Sequence, residues 1–328
     1  MNTIDGQVVA LTGGVGGAKL VLGLSRVLAN EQLTAIVNTG DDFEHLGLPI
    51  CPDLDTLMYT LADLVNPETG WGYRDETWNF MAALERLNAE TWFRIGDRDL
   101  ATHVVRSQLL EERATLTEVT QALCERLSVR TRILPMSDTP VRTRVGTDRG
   151  RLDFQHYFVR DRAEPVVGTL EYAGAESAEP TPAVLAALGD PGLSAIIIAP
   201  SNPYLSIDPI LAIPGLRTAL QAAAAPIVAV SPIINGAAIK GPAAKIMGEL
   251  GIKPSPGAVA RHYGGLLDGF IVDEQDRDTV SGLKKLDPQV RFYDTIMNTL
   301  DDKIRLARDT LDFARSLPPS HSEYAIEK

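Results

Sequence analysis

A glycine-rich segment, residues 12–19, constrains the fold of this chain most strongly. It follows an apolar run at residues 8–11, and apolar residues recur at helical spacing directly after it. A second apolar run at residues 33–37 predicts the next strand. A strand, a glycine loop, a helix and a second strand in this order imply a crossover between parallel strands. The sequence therefore predicts an α/β fold with a mostly parallel sheet.

The second half of the chain continues this sheet. Residues 195–199 and 227–230 are continuous apolar runs, as expected of strands that are covered on both faces. Residues 270–272 form a shorter run of the same kind. Residues 152–158 alternate apolar and polar side chains for most of their length, which predicts an antiparallel strand at the edge of the sheet.

The region between these halves has a different, helical pattern. Apolar positions at helical spacing follow Asp53, and a second helix is expected over residues 99–112. Thr115 and Glu118 match the capping box that begins a helix. We therefore predict a nucleotide- and metal-binding core of residues 1–52 and 129–316, a helical insertion of residues 53–128, and a flexible tail of residues 317–328.

Composition excludes several classes of protein. The net charge of −12 argues against a nucleic-acid-binding protein, because phosphate contacts need clustered Lys and Arg. No apolar stretch reaches the roughly 18 residues that a membrane-spanning helix needs, and the N-terminus lacks the features of a signal peptide. Cys51 and Cys124 are too few and too far apart for a disulfide framework or a zinc site. We expect a cytoplasmic protein with neither a membrane nor a nucleic-acid partner.

The glycine-rich segment also has a chemical meaning. Glycines after a parallel strand let backbone N–H groups approach a phosphate, and the helix N-terminus adds partial positive charge. The P-loop pattern fails because Leu20 follows Lys19, and the dinucleotide fingerprint fails because Lys19 stands at its last glycine. A tight turn without a ligand is the alternative. Four glycines among residues 13–17 favour a phosphate-containing ligand instead.

Four carboxylates stand where ligands of a parallel sheet bind. Asp41 and Asp42 follow the second predicted strand, and Asp53 and Asp55 open the next helix. Both places lie at the carboxyl edge of the sheet, and hard oxygens beside a phosphate suit Mg²⁺. Asp53 is equally suited to cap its helix, and either Asp41 or Asp42 could close a turn. The convergence of all four favours a magnesium site.

The helical region contributes arginines and tryptophans. Arg94 and Arg98 either hold a polar or anionic ligand group through planar contacts or balance a helix cap. His103 is expected to pack on its own helix. The three tryptophans are expected to form a small core, with the lining of a pocket for a flat ring as the alternative; they are Trp71, Trp78 and Trp92.

Two later loops offer uncharged polar groups. Ser201 and Asn202 follow one buried strand, and Ser231 and Pro232 follow the next. Such groups suit the base, ribose or phosphates of a nucleotide, although the same residues are common in plain turns. Lys240 then adds positive charge before the next predicted helix.

Eight motifs in order resemble the Fo phospholactate transferase family of coenzyme F420 biosynthesis, which includes phosphoenolpyruvate transferases. The match covers about residues 8–276, nearly the whole chain, and residues 70–78 resemble the subgroup that uses a phosphoenolpyruvate-derived donor. The motifs are Gly13-Gly14-Val15-Gly16-Gly17, Asn38-Thr39-Gly40-Asp41-Asp42, Pro52-Asp53-Leu54-Asp55-Thr56, Gly96-Asp97-Arg98-Asp99, Leu134-Pro135-Met136-Ser137-Asp138, Pro200-Ser201-Asn202-Pro203, Val230-Ser231-Pro232-Ile233-Ile234 and Gly241-Pro242-Ala243.

The resemblance implies a specific fold and reaction. Family members have a Rossmann-like core with a largely helical insertion and form homodimers. They join the ribitol hydroxyl of the deazaflavin Fo to the acid-bearing phosphate of a GDP-linked phospho-acid, and they release GMP. The acid is phosphoenolpyruvate, 2-phospholactate or 3-phosphoglycerate, and the sequence does not choose among them.

Site residues follow from the same resemblance, position by position. Asp55, Arg94 and Asp97 are expected to contact Fo, and Asp42 and Asp55 to hold Mg²⁺. Asp42, Asp53 and Asp55 are the expected catalytic carboxylates, with either Asp55 or Asp53 orienting the ribitol hydroxyl and accepting its proton. The expected nucleotide-binding residues are Gly13, Gly14, Val15, Gly16, Gly17, Lys19, Ser201, Asn202, Ser231 and Pro232.

Two other classes of function are alternatives for this sequence. Nucleotide-binding regulatory proteins of the gluconeogenesis-factor type share the fold, but they usually carry a glycine- and serine-rich stretch after the double aspartate. Phe43-Glu44-His45-Leu46 stands there instead. A dinucleotide oxidoreductase would place Asp41 on a ribose hydroxyl, and Lys19 in the fingerprint argues against it.

Overall fold

The structure is a computed structural model that describes residues 6–278 and 288–318. Its strands are β1 (Gln7–Thr12), β2 (Leu33–Val37), β3 (Phe43–His45), β4 (Leu48–Ile50), β5 (Arg132–Pro135), β6 (Arg142–Thr147), β7 (Gly150–Asp153), β8 (Val167–Ala173), β9 (Leu193–Ile198), β10 (Ile227–Val230), β11 (Ile233–Ile234), β12 (Ala237–Ala238), β13 (Gly269–Asp273) and β14 (Gln289–Tyr293). Its helices are α1 (Gly14–Val27), α2 (Pro52–Leu61), α3 (Asn79–Arg86), α4 (Asp97–Glu111), α5 (Leu116–Arg126), α6 (Pro182–Leu188), α7 (Asp208–Leu211), α8 (Leu216–Ala222), α9 (Ala243–Glu249), α10 (Pro256–Tyr263) and α11 (Leu300–Ser316).

A seven-stranded sheet forms the centre of the molecule, in the order β14-β13-β10-β9-β1-β2-β5. All of its neighbouring strands pair in parallel. This confirms the predicted α/β fold and the strands predicted at residues 8–11, 33–37, 195–199, 227–230 and 270–272. Because the strands are parallel, the segments that follow them meet at one edge of the sheet.

Both faces of the sheet are covered, as its continuous apolar strands predict. In β1, Val8 and Ala10 belong to the hydrophobic cluster that includes α1, α2, α5 and α11. Val9 and Leu11 belong to the cluster on the opposite face, with α6 to α10. The alternation follows from the two-residue period of a strand.

The predicted helices of residues 53–128 are present. The helix predicted over residues 99–112 is α4, which begins at Asp97. The capping box is confirmed, since Thr115 accepts from the Glu118 amide while the Glu118 side chain accepts from the Thr115 amide. Helices α2 and α5 share the core of the sheet, whereas Met81 of α3 packs in a separate small cluster with Ile50 and Ile95. The division into core and insertion stays a prediction.

The predicted edge strand at residues 152–158 is wrong beyond Asp153. Strand β7 ends there and belongs to a separate antiparallel sheet, ordered β7-β6-β8. A helical turn covers His156–Arg160. Phe154 and Tyr157 are buried while Phe158 is exposed, so the side chains face the core at the three-residue spacing of a helix rather than the two-residue spacing of a strand.

The end of the chain fits only part of its prediction. Leu317, the first residue of the predicted tail 317–328, is buried against the α11 core, and residues 319–328 lie outside the described part. Within the described residues, no helix combines the length and apolarity that crossing a bilayer requires.

Candidate functional site

A cavity of about 490 Å³ lies at the carboxyl edge of the central sheet. The segments that follow β1, β2, β9, β10 and β14 contribute to its wall, and residues from the helical region and from the turn after β7 complete it. Residues of special interest in the wall are Gly13, Gly14, Val15, Gly16, Lys19, Asp41, Asp53, Asp55, Trp71, Trp92, Arg94, Asp99, His103, Phe154, Phe158, Ser201, Asn202, Ser231, Pro232 and Lys240.

The glycine loop between β1 and α1 needs its glycines for two separate reasons. Gly14 has φ +65°, a left-handed conformation, and no atom lies within 4 Å of where its Cβ would be. A Cβ at Gly16 would lie 2.6 Å from the Pro200 carbonyl oxygen, closer than two such atoms can approach. The Ser201 hydroxyl accepts from the Gly13 amide at 3.2 Å and donates to the Gly13 carbonyl at 2.8 Å. Ser201 therefore holds the loop against the segment after β9.

Asp53 does not cap its own helix, which corrects the capping alternative. Helix α2 begins at Pro52 with Cys51 at its N-cap position. Asp53 Oδ1 instead accepts from the Gly14 amide at 2.8 Å, and Asp53 Oδ2 accepts from Asn38 Nδ2 at 2.9 Å. Burial raises the pKa of Asp53 to about 6. Asp53 is thus a buried carboxylate fixed at the glycine loop and exposed to the cavity.

Asp41 lies in the same part of the wall. It is buried, and its Oδ1 has no hydrogen-bond partner among the described residues. Burial, reinforced by the charge of Asp53, raises the pKa of Asp41 well above its usual value. Two carboxylates that disfavour each other's ionisation, one with an unpaired oxygen, form a set of hard ligands for a divalent cation.

Asp42 differs from this pair in its placement. It is buried, but it is absent from the described residues that line the cavity. Burial raises its pKa to about 7, and the opposing charge of Arg142 is smaller. This placement favours Asp41 over Asp42 as the residue that touches a bound ligand.

Asp55 lines the cavity with both carboxylate oxygens already paired. Arg106 Nη1 donates to its Oδ2 at 3.2 Å, and Arg106 Nη2 donates to its Oδ1 at short range. Both side chains are almost fully buried. A carboxylate neutralised by a guanidinium is a poor magnesium ligand, so Asp41 and Asp53 fit the metal better than the predicted Asp42 and Asp55.

The residues expected to contact Fo are divided by the structure. Arg94 lies in the cavity wall, with its guanidinium 4.0 Å from the centre of the Trp78 ring. Asp97 lies outside the wall as far as the described residues show. Its carboxylate accepts from the Thr77 hydroxyl and from the amides of Asn79 and Phe80 at the start of α3. Asp97 therefore caps α3, a placement that disfavours the Fo contact, which stays a prediction.

The three tryptophans do not form the predicted small core. Trp71 is 50% exposed and Trp78 is 38% exposed. Trp71 and Trp92 line the cavity instead. The Trp92 ring lies 4.7 Å from the ring of His156. In the sequence, His156 stands between Phe154 and Phe158, which also line the cavity. The alternative, an aromatic wall for a flat ring, therefore agrees with the structure.

Two lysines flank the glycine loop. Lys19 Nζ donates to the Met297 carbonyl, and Lys240 Nζ donates to the Thr69 carbonyl, both at 2.8 Å. Burial, and then the charge of Lys240, lowers the pKa of Lys19. The two ammonium groups are thus close enough to repel each other in the cavity wall, where an anion would stabilise both.

The loop residues predicted for the nucleotide all reach the wall except Gly17. Asn202 Oδ1 accepts from the amides of Tyr204 and Leu205, while its Nδ2 has no partner among the described residues. The Ser231 hydroxyl bonds the backbone of Ile233. A Cβ at Gly17 would collide with the side chains of Thr12 and Ser201, so that glycine allows close packing rather than ligand contact.

Sequence reasoning missed Arg106 and the role of His103. Arg106 is fully buried, and its Nη1 lies 3.0 Å from His103 Nδ1. Asp99 lies 3.4 Å from His103 Nε2 and accepts from the Tyr59 hydroxyl at 2.7 Å. Asp99, His103 and Arg106 are spaced four and three residues apart, which places them on one helical face. That spacing was the available signal.

The family of the chain is decided by a profile match. The sequence profile of the family described as 2-phospho-L-lactate transferase CofD matches residues 8–302. The chain belongs to the CofD family. Membership confirms the resemblance seen in the eight motifs, and it makes this protein a transferase that acts on small molecules.

Relatives within the CofD family have similar length. The phosphoenolpyruvate transferase of Streptomyces coelicolor is 41% identical over 317 residues, covering 95% of this chain and 99% of the relative. The phosphoenolpyruvate transferase of Mycolicibacterium smegmatis is 40% identical over 329 residues, covering 94% and 98%. A crystal structure of a UPF0052 family protein from Bacillus halodurans has a TM-score of 0.61 at 16% identity, covering 94% of this chain and 100% of that one. This last likeness concerns the fold alone.

Proposed function

We propose that the protein transfers a phospho-acid, with phosphoenolpyruvate as the favoured acid, from a GDP-linked donor to the ribitol hydroxyl of Fo. The relatives that are 40–41% identical over nearly their full length are named phosphoenolpyruvate transferases. The observation that carries the proposal is the composition of the cavity wall. The glycine loop with Asp41 and Asp53 suits phosphates and a cation. Trp92, Phe154 and Phe158 suit a flat aromatic ring.

The glycine loop and the two lysines are proposed to hold the diphosphate of the donor. The amides of Gly13 and Gly14 are engaged by Ser201 and Asp53, so the amides of Val15 and Gly16 in the first turn of α1 are the ones a phosphate would meet. The first four amides of a helix have no partner within the helix. Lys19 and Lys240 supply the positive charge that these neutral groups lack.

A magnesium ion is proposed at Asp41 and Asp53. Their donor set fits, because it combines hard oxygens, an unpaired buried Oδ1 of Asp41 and a position beside the glycine loop. Mg²⁺ commonly binds through one or two protein carboxylates together with phosphate oxygens and water. When bound, it offsets the negative charge of the diphosphate and of the departing GMP.

The deazaflavin ring of Fo is proposed to lie against Trp92, Phe154 and Phe158, with Arg94 at its polar edge. Large aromatic side chains bind flat rings through offset or edge contacts. The ribitol chain then reaches Asp55, whose carboxylate accepts a hydrogen bond from the attacking hydroxyl.

The proposed reaction is an in-line phosphoryl transfer. The ribitol oxygen forms a bond to the acid-bearing phosphorus, and the bond from that phosphorus to the bridging oxygen breaks, so that GMP leaves. Positioning of the ribitol oxygen in line with the departing GMP, and stabilisation of the charge on the phosphate oxygens, are the main work of the protein. The hydroxyl proton is lost late, toward the carboxylate that orients it.

A turnover assay with three donors tests this proposal. The purified protein is incubated with Fo, Mg²⁺ and the GDP-linked form of phosphoenolpyruvate, 2-phospholactate or 3-phosphoglycerate, and products are measured by mass spectrometry. We expect Fo plus one phospho-acid, formed fastest from the phosphoenolpyruvate donor. No product from any donor would contradict the proposal, and faster use of another donor would correct the acid.

Homodimer formation and a cytoplasmic location stay predictions. Sedimentation of the purified chain would test the first, with a mass of twice 35.5 kDa expected. Fractionation of the cells that contain the protein would test the second.

A further inference from the structure

A chain of polar contacts runs behind one wall of the cavity and joins two carboxylates that face it. Arg106 binds Asp55 through both terminal nitrogens, and its Nη1 also lies 3.0 Å from His103 Nδ1. His103 Nε2 lies 3.4 Å from Asp99 Oδ2, and Asp99 Oδ1 accepts from the Tyr59 hydroxyl at 2.7 Å. The cavity wall includes Asp55, Asp99, His103 and Tyr59.

The contact between Arg106 and His103 determines which nitrogen of the imidazole carries the proton. A guanidinium only donates hydrogen bonds, so His103 Nδ1 must present its lone pair to Arg106. The proton of the neutral ring is then on Nε2, which lies 3.4 Å from Asp99 Oδ2. A proton on Nδ1 would place two donors 3.0 Å apart in a site where both side chains are 1% exposed.

The order of donors and acceptors makes the chain directional. Arg106 donates to Asp55 and to His103, and Tyr59 donates to one oxygen of Asp99. His103 Nε2 lies 3.4 Å from the other oxygen of Asp99 without completing a hydrogen bond to it. Neither Asp55 nor Asp99 donates a hydrogen bond in these contacts, so each carboxylate can also accept hydrogen bonds from a ligand. A carboxylate has about four lone-pair sites, and these contacts leave some of them unused on each residue.

We propose that Arg106 and His103 are positioning residues that hold Asp55 and Asp99 as a pair of hydrogen-bond acceptors for hydroxyl groups of the acceptor's polyol chain. This inference rests on the proposed function, because it takes Fo as the acceptor. It extends that function by assigning Asp99 to substrate binding and by giving Arg106 and His103 a role in orientation. A flexible polyol needs more than one fixed contact to present a single hydroxyl for attack.

A metal ion is the competing occupant of this site. Asp55, Asp99 and His103 each offer a ligand atom, and these atoms lie within 4.8 Å of one another. However, the guanidinium of Arg106 touches both Asp55 and His103, so a divalent cation there would face a fixed positive charge at close range. The polyol is uncharged and meets no such repulsion.

A thermodynamic cycle between protein and substrate tests the proposal. Dissociation constants are measured for Fo and for Fo analogues that each lack one ribitol hydroxyl, with the wild type, Asp99→Asn and the matched control Asp97→Asn. In the wild type we expect loss of one particular hydroxyl to weaken binding about 10-fold. In Asp99→Asn we expect Fo itself to bind about 10-fold more weakly and the loss of that hydroxyl to have little further effect. Asp97→Asn should retain the full penalty.

A second measurement reads the imidazole directly. Nitrogen NMR of the protein with ¹⁵N-labelled histidine should show His103 protonated at Nε2 and unprotonated at Nδ1. His103→Gln keeps a side-chain N–H donor, and it should retain more Fo affinity than His103→Leu.

The outcomes separate the two levels of the proposal. If the wild type neither binds nor converts Fo, the proposed function is wrong and this inference falls with it. The inference alone is wrong if the wild type converts Fo but removal of each ribitol hydroxyl weakens binding to Asp99→Asn as much as it weakens binding to the wild type. A proton on His103 Nδ1, or Zn²⁺ or Mg²⁺ binding that Asp99→Asn abolishes and Asp41→Asn does not, would also overturn it.

Discussion

Asp53 Oδ1 accepts a hydrogen bond from the backbone amide of Gly14 at 2.8 Å, across 39 positions of the chain. This contact joins the glycine loop after β1 to the first turn of α2. The second oxygen of Asp53 is held by Asn38, which follows β2. One carboxylate thus fixes three segments at the edge of the sheet, and it does so in the cavity wall where phosphates and a cation are proposed to bind.

Replacing Asp53 should abolish most of the activity without unfolding the protein. In Asp53→Asn the amide would oppose the Asn38 amide, and a negative charge beside the proposed Mg²⁺ would be lost. We expect kcat/KM to fall about 100-fold, which corresponds to about 2.7 kcal/mol of transition-state stabilisation. Steady-state kinetics and circular dichroism measure both effects.

Asp97→Asn is the matched control for this charge change. In the wild type, the Asp97 carboxylate caps α3 outside the described cavity wall. The substitution should therefore lower stability with little change in kcat/KM. A loss of activity in Asp97→Asn as large as in Asp53→Asn would contradict the assignment.

The glycine loop predicts a contrast between two alanine substitutions. A Cβ at Gly16 would lie 2.6 Å from the Pro200 carbonyl oxygen, so Gly16→Ala must move the loop. We expect a destabilisation of about 1–3 kcal/mol and weaker binding of GDP. Thermal unfolding and isothermal titration calorimetry would measure these changes.

Gly248→Ala is the corresponding control. Gly248 lies in α9, and its Cβ would meet no atom within 4 Å. Alanine there should raise stability by about 0.5–1 kcal/mol and leave GDP binding unchanged. Equal effects of the two substitutions would show that the approach to Pro200 does not matter.

The sequence predicted the five inner strands of the parallel sheet, because their apolar runs reflect burial on both faces, but it did not predict the edge strands β5 and β14. It also predicted the carboxyl edge as the site, since Gly14, Asp41, Asp53 and Ser201 all follow strands. The strand predicted over residues 152–158 is wrong beyond Asp153. The apolar and polar alternation is that of a strand only at Leu152 and Asp153, and the residues after them form a helical turn. A short run cannot distinguish the two periods when both place the same first residues inward.

Side-chain roles were less predictable than positions. Asp53 and Asp97 were each expected beside a ligand from their place in a motif. Asp53 lies in the cavity wall and contacts the glycine loop, whereas Asp97 caps α3. The difference depends on which distant backbone amide each carboxylate meets. Arg106 contacts Asp55 across 51 positions, a pairing that no local pattern encodes.

Burial of Asp42 predicts a pH-dependent stability. Its pKa in the folded protein is raised from 3.8 to about 7, so the folded state binds the proton more tightly than the unfolded state. The free energy of unfolding should therefore decrease as pH rises from about 4 to about 7. Asp42→Asn removes this loss, and its advantage over the wild type should grow across that interval to at most about 4 kcal/mol.

Urea unfolding of both proteins in a chelator, at pH 4.5, 6 and 8, measures this dependence. The chelator prevents a bound cation from changing the ionisation of the neighbouring carboxylates. If the difference in unfolding free energy between the two proteins is the same at all three pH values, folding does not raise the pKa of Asp42.

Lys240 should contribute to donor affinity through direct contact. Its Nζ bonds the Thr69 carbonyl in the cavity wall, and a phosphate would give it a charged partner instead. Lys240→Met should weaken GDP binding about 10-fold, measured by calorimetry at low and high salt.

Lys303→Met separates contact from general charge. Lys303 is close enough to lower the pKa of Lys19, but it is absent from the described cavity wall. It should change GDP affinity less than 3-fold or so, as expected for a screened charge. If both substitutions weaken binding equally, Lys240 acts only through the overall field.

The most direct test of the account is phosphorus NMR of a single turnover, with the protein in excess over the GDP-linked phosphoenolpyruvate donor. With Fo and Mg²⁺ present, we predict that the two coupled diphosphate signals disappear together and give one phosphomonoester, GMP, and one phosphodiester on Fo. Chelation of Mg²⁺ should leave the diphosphate signals unchanged. Release of intact GDP, or cleavage at the same rate without Fo, would contradict transfer of the phospho-acid to the ribitol hydroxyl.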